Sequence, residues 1–298
     1  MRAEALRGRW GRRLAIAGPF LWLLVFFLVP FAIVFGVSLA ELRIAVPPYS
    51  PILDWSDGLP RFLGSFENYV FITEDDLYWR AYLNSVQMAG IATALCLLVA
   101  YPMAYLIARA RRTMRAILLL LVVLPFWTSS LLRLYALMAL MTPGGFINSA
   151  LMGAGLIEAP IQMLQTDFAI YLGIVFTYLP LMVLPLYSTL EKLDPSLLEA
   201  SADLGAGPVA TFWRVTLPLS LPGILAGCLL VFIPAVGEFV IPALVGGPDQ
   251  LMIGRVLWTE FFNNRDWPVA SAVAMAMLAL LVIPFMLLRN SSALRGET

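Results

Sequence analysis

The stretch Glu191–Leu219, EKLDPSLLEASADLGAGPVATFWRVTLPL, interrupts a chain otherwise built of long uncharged windows. Asp194 followed by Pro195 is a helix start, because the carboxylate caps free amides and proline fits the first turn. The pattern predicts a helix over Ser196–Leu204, a left-handed cap at Gly205, and a second short helix that restarts at Gly207-Pro208 and runs through Trp213. This is a helix-turn-helix knuckle. Leu197, Leu198 and Leu204 share its apolar face, Ala200, Ser201 and Ala202 are small enough to let a partner surface approach, and Glu199 and Asp203 are four apart on one face. It can dock a partner or lie on lipid headgroups. Its charges are acidic, whereas headgroup-binding helices are usually rich in Lys and Arg, so docking is the better reading.

Outward from the knuckle, six windows are free of charge for about the 20 residues a bilayer-crossing helix needs. They are Leu14–Ala40, Ala81–Ala108, Ala116–Leu132 (running on past Arg133 to Met141), Phe168–Leu190, Val215–Gly237 and Trp267–Leu288. The chain has 298 residues, 61% hydrophobic and only 13% charged, against about 25% charged in a soluble domain. The expected fold is all-α, with six transmembrane helices. The first window, with 27 apolar residues, is longer than the roughly 7–15 of a secretory signal core and is read as a retained span.

Arginine placement sets the orientation. Arg2, Arg7, Arg9, Arg12 and Arg13 precede the first span, and Arg109, Arg111, Arg112 and Arg115 lie between spans two and three, which places both segments in the cytoplasm. The Glu41–Arg80 loop carries more acids than arginines and belongs outside, and both termini are expected to be cytoplasmic. The organisation is then residues 1–80 for the cytoplasmic N-terminus, first span and periplasmic loop, 81–288 for the core with its cytoplasmic loop 191–216, and 289–298 for a tail.

Several chemistries lack their residues. There is no His, and net charge is zero, which removes His-based metal sites, His bases and a basic footprint for nucleic acid. Cys96 and Cys228 fall inside apolar windows and read as small buried side chains. Lys192 is the only lysine and follows Glu191, so the Gly-Lys-Ser/Thr phosphate loop is absent and the chain is not expected to be an enzyme.

The run EASADLGAGPVATFWRVTLPL, Glu199–Leu219, resembles the EAA loop of ABC importer permeases. That pattern reads Glu-Ala-Ala, three residues, Gly, nine residues, Ile, one residue, Leu-Pro. Here Glu199-Ala200-Ser201, Gly205, Val215 and Leu217-Pro218 keep every gap, departing only at Ser201 and Val215. The resemblance implies a type I importer permease fold, in a bacterial inner membrane, and a loop that docks on a separate ATPase through Glu199, Ala200, Ser201, Asp203, Leu204, Gly205, Leu217 and Pro218. The stretches FWTSSLLRLYA (126–136), VFIPAVGEFVIPALVGG (231–247) and IGRVLWTEFFNNRDWPVASAVAM (253–275) are similar to putrescine permease subunits of polyamine uptake systems. That similarity implies a second homologous permease subunit, cytoplasmic ATPase subunits that hold ATP and Mg2+, and a periplasmic polyamine-binding protein. A related importer for another small solute is the alternative.

A cationic amine crossing lipid needs carboxylates and aromatic faces in place of water. Glu238, Glu260, Trp127, Tyr178 and Trp258 are the candidates for its path. The aromatic residues equally suit a membrane interface, Glu238 can be a solvated acid just outside the membrane, and Asp266 reads better as the N-cap of the sixth span. Arg133 either pairs with an acid or snorkels outward. Pro222 and Pro234 mark either a hinge in the fifth span or the ordinary tolerance of membrane helices for proline. An ion-coupled secondary transporter would need central acids, and the six windows hold none at their centres. Lacking a glycine-lysine cradle, the purified chain alone is expected to hydrolyse no ATP above background. Magnesium-dependent turnover that survives removal of contaminating ATPases would contradict this.

Overall fold

The computed structural model describes residues 16–54, 61–248 and 250–290. The arginines expected to orient the N-terminus, Arg2 to Arg13, and residues 291–298 of the tail lie outside the described residues. The described chain is predominantly helical, with one two-stranded hairpin, and its contacts gather into two compact units.

The first unit comprises residues up to Trp79 and from Leu257 onward. It contains α1 (Ile16–Ser38), strands β1 (Leu53–Asp54) and β2 (Arg61–Phe62) paired antiparallel, and α2 (Glu67–Glu74). A π-helical turn at Leu24–Leu28 leads into Pro30, which has no amide to donate. The end of α1 is closed by Asn68, whose Nδ2 donates to the carbonyls of Ser38 at 2.9 Å and Ala40 at 2.8 Å. These carbonyls have no partner further along the helix, so a side chain from α2 satisfies them. The last helix, α13 (Trp267–Asn290), packs on α1 and α2; the element numbers between are assigned below. Most of α1 shows apolar side chains to its surroundings, Phe20, Trp22 and Phe27 among them, as a membrane helix does.

The second unit is Arg80–Val256. The long helix α3 (Asp76–Arg109) begins before Arg80 and passes Pro102 without a break. Its 34 residues span about 51 Å, against about 30 Å of hydrocarbon, so it overhangs the bilayer or tilts in it. Then come α4 (Arg112–Val123), α5 (Ser130–Met141), α6 (Phe146–Gly153), α7 (Asp167–Glu191), α8 (Pro195–Asp203), α9 (Pro208–Thr211), α10 (Leu217–Val236), α11 (Val240–Leu244) and α12 (Ile253–Trp258). Among the described residues, five helical segments are long and apolar enough to cross a membrane, and the described apolar part of α13, Trp267–Val282, is a shorter sixth.

The third window departs from expectation. It is not one helix through Leu132: α4 stops at Val123, a 3₁₀ turn covers Leu124–Trp127, Thr128 is extended, and α5 starts afresh at Ser130. Pro125 has no amide for the helical ladder, and the Thr128 hydroxyl takes the Pro125 carbonyl at 2.7 Å. The fifth span, in contrast, keeps Pro222 and Pro234 inside one continuous helix and breaks only at Gly237.

The core of this unit is a stripe of small residues on α3, Cys96, Ala100, Ala104 and Ala108, each four after the last, against Met182, Val183, Leu186 and Leu190 of α7. Helix α10 crosses the same region of α7 at closest range. A Cβ on Gly223 would lie 2.6 Å from Thr189 Oγ1 and 3.0 Å from the Pro185 carbonyl, and one on Gly227 would lie 2.6 Å from Met182 Sδ. Gly223 and Gly227 form a small-xxx-small pair of the kind that lets membrane helices touch. Gly223→Leu forces α7 and α10 apart and should cost about 1–3 kcal/mol or more. A thermal unfolding series in detergent is expected to show a clear loss for Gly223→Leu and little change for Gly144→Ala, where a Cβ meets nothing.

Candidate functional site

The knuckle forms as its local chemistry dictates. Asp194 Oδ1 accepts from the Ser196 amide at 2.9 Å, and Pro195 opens α8. That amide holds the exposed Asp194 carboxyl below its usual range. The helix closes with two backbone bonds, Ala206 N to Ser201 O at 3.0 Å and Gly205 N to Ala202 O at 2.9 Å, around Gly205 at φ +78°. That pattern consumes the last carbonyls of α8 and requires the left-handed conformation at the glycine. Pro208 opens α9, and a π-helical turn, Phe212–Thr216, joins it to α10.

Exposure across the knuckle is uneven. Leu204 is 88% exposed, Val209 70% and Trp213 62%. Glu199, Ala200, Asp203 and Gly205 are also exposed, so acids, small residues and apolar tips share the outer surface. Two expectations are adjusted. Leu198 turns inward while Leu204 turns out, so the leucines do not form one face. Ser201 is half-buried rather than exposed: its hydroxyl bonds that of Thr211 at 2.9 Å and ties the two arms together. Beneath this tie lies a cavity of about 300 Å³ bordered by Leu198, Ala202, Ala206, Phe212 and, from α3, Tyr105. At the exit, Leu217 is half-buried and Pro218 exposed, and Ser220 bonds Tyr101 of α3 at 2.9 Å.

The candidate path residues divide between the two units. In the second unit, the Tyr178 hydroxyl of α7 donates to Glu238 Oε2, while Glu238 Oε1 accepts from the amides of Val240 at 3.0 Å and Ile241 at 3.4 Å. Glu238 is half-buried and caps α11 at the break after α10. The turn is backed by Gly254, where a Cβ would come within 2.8 Å of the Glu238 carbonyl. Trp127, in the same unit, is 76% exposed at the end of the 3₁₀ turn.

In the first unit, Glu260 takes the Tyr78 hydroxyl at 3.1 Å and Asn264 Nδ2 at 2.8 Å, and the ring of Trp258 stands 4.1 Å from that of Phe262. Asp266 caps α13 as expected, accepting from Val269 at 3.0 Å, and its burial raises its carboxyl above the ordinary range. Tyr78 was not singled out in the sequence; its partner is 182 positions away, beyond any local pattern. Arg133 neither pairs with an acid among the described residues nor reaches outward in full. Its guanidinium lies 5.4 Å from the Phe126 ring, and Nε and Nη1 are buried without a partner there.

Apolar helices of bilayer length, with a knuckle hung between the two that pack most closely, define a multi-pass membrane protein. The chain belongs to the family of binding-protein-dependent transport system inner membrane components, whose profile matches residues 100–295, and it is therefore an inner-membrane transport subunit. It is 41% identical to the spermidine/putrescine transport system permease protein PotB of Haemophilus influenzae over 91% of each chain. It is 38% identical to PotB of Escherichia coli K12 over 93% of this chain and 96% of that one. Among solved structures, a chain from the crystal structure of a bacterial alginate ABC transporter in complex with an alginate pentasaccharide-bound periplasmic protein matches with a TM-score of 0.67 at 15% identity, over 94% of this chain and 93% of that one. The fold is that of type I ABC importer permeases.

Gly205→Val places a β-branched residue at positive φ and should unravel the end of α8. Glu199→Lys should misplace a docked partner while leaving α8 intact. Both variants are expected to insert in the membrane yet lose most uptake, measured in cells at matched membrane protein level. Normal uptake by both would remove the knuckle from the mechanism.

Proposed function

We propose that the chain is the permease subunit of an ATP-driven importer that carries polyamines, putrescine, spermidine or both, from periplasm to cytoplasm. The observation that carries this reading is the 41% identity to a spermidine/putrescine permease across 91% of both chains. Similarity at that level extends over spans, loops and the knuckle together, beyond the reach of a shared coupling motif.

In this reading the knuckle and both termini are cytoplasmic. The exposed acids Glu199 and Asp203, with Leu204 and Val209, meet a groove on an ATPase subunit. ATP and Mg2+ are held there, and this chain holds no cofactor. A second, homologous permease completes the pathway, a periplasmic polyamine-binding protein delivers the cargo, lipid surrounds the spans, and nucleic acid has no part.

Tyr178 and Glu238 are the favoured cargo contacts. A carboxylate has about four acceptor positions, and three at Glu238 are taken by Tyr178, Val240 and Ile241. The fourth can receive an ammonium group, and its negative charge offsets part of the amine's dehydration. Glu260, which accepts from Tyr78 and Asn264 and keeps acceptor positions of its own, remains a further candidate with Trp127 and Trp258.

The test is uptake of labelled putrescine and spermidine by the reconstituted complex with ATP. Transport of neither, by a complex that still hydrolyses ATP, would redirect the proposal to another solute. Within an active complex, Glu238→Gln keeps an oxygen for the α11 amides, removes the charge and turns the oxygen facing Tyr178 into an amide NH2. Uptake at limiting substrate is expected to fall about tenfold, roughly the value of one charge-assisted hydrogen bond. Uptake equal to the parent would reduce Glu238 to a helix cap.

A further inference from the structure

Arg115, in the first turn of α4, reaches the ends of two other helices at once. Its Nη1 pairs with Glu191 Oε1, the last residue of α7. Its Nη2 donates to the carbonyls of Ala108 at 3.0 Å and Ala110 at 3.5 Å, where α3 ends. Tyr187, one turn earlier on α7, lies beside the same Glu191 carboxylate. Beneath the ion pair, Leu190 and Leu193 are buried against Ala104, Ile107 and Ala108. The end of α3, the start of α4 and the end of α7 are thus drawn together at one point.

That point stands at the root of the knuckle. Only Lys192 and Leu193 separate Glu191 from Asp194, and Asp194 has extended backbone, φ −63° and ψ 122°. The Arg115–Glu191 side chains are 26% and 39% exposed, so solvent screens the pair and it adds little to the stability of the fold. Its geometry, a fork that grips a carboxylate with one arm and helix-terminal carbonyls with the other, suits a guanidinium and not an ammonium.

We propose that Arg115 is a positioning residue for energy coupling: it ties Glu191, the last residue of α7, to the end of α3, so that motion arriving at the root of the knuckle moves α3, α4 and α7 as one body. A push that reaches the end of α7 is then shared with α3 and α4 and is not spent in moving α7 alone. The other arm has its own connection to α3, through Tyr101, whose hydroxyl bonds Ser220 and whose ring meets Phe212 edge-on at 5.5 Å. The inference rests on the knuckle being the element that receives ATP-driven motion.

The experiment measures polyamine transported per ATP hydrolysed in proteoliposomes holding the whole complex. Arg115→Ala should assemble, hydrolyse ATP within about twofold of the parent, and transport about fivefold less per ATP, the low end of the range for coupling between distant sites. Arg115→Lys should recover only part of the ratio, since one ammonium cannot span both the carboxylate and the carbonyls. High salt should lower the parent ratio toward that of Arg115→Ala and leave the variant unchanged. An unchanged ratio in Arg115→Ala, whatever the absolute rates, overturns the proposal. If that variant does not assemble, Glu191→Gln, which keeps volume and an acceptor oxygen, is judged by the same ratio. A parent complex that moves no polyamine refutes the functional reading instead, before any variant is compared.

Discussion

Gly223 and Gly227 bring α10 against Met182, Pro185 and Thr189 of α7 with no side chain between, and the knuckle inherits its position from that contact. It is hung between these two helices, entered from the end of α7 and left through the start of α10. Within lipid, burial of apolar surface does not draw helices together, because the tails are as apolar as leucine; close packing must supply the attraction. The glycine pair on α10 and the Cys96-Ala100-Ala104-Ala108 stripe on α3 are both means to it. Since α3 and α10 each pack against α7, the three form the frame on which the rest of the second unit is mounted.

Where a helix must begin or end, the protein spends polar side chains with economy. Asp194, Glu238 and Asp266 each accept amides at the start of a helix, and Asn68 donates to the carbonyls that close α1. An unpaired backbone group costs most where water is absent, so these caps mark where the chain can turn. Arg133 runs against the pattern. Its guanidinium lies over the Phe126 ring of the preceding 3₁₀ turn, and its buried Nε and Nη1 find no acceptor among the described residues.

The knuckle was legible because its determinants are local. Asp194, Pro195, Gly205 and Pro208 act on amides and dihedrals within a few residues of themselves, and spacing is enough to read them. The spans were legible as charge-free windows, except where Pro125 and Thr128 break the third, a break set by backbone hydrogen bonding that hydropathy does not register. The pairs that organise the sites lie far apart in the chain: Tyr178 with Glu238 by 60 positions, Arg115 with Glu191 by 76, Tyr78 with Glu260 by 182. Helix packing chooses those partners, and a single sequence offers no periodicity that would reveal them. The Gly223–Gly227 spacing is a local signal that was not singled out, and its facing residues, Met182 and Thr189, lie beyond any local pattern.

The Ser201–Thr211 hydrogen bond closes the two arms of the knuckle into a loop of fixed span. A closed loop of this kind works as a rigid lever instead of a spring. Its long arm, α8, has nine residues and a length of about 13 Å. A sideways displacement of about 3 Å at the Leu204 tip therefore becomes a rotation of about 13° at the root. In the proposed coupling role, small travel at the outer end becomes a rotation delivered to the end of α7 and the start of α10 together.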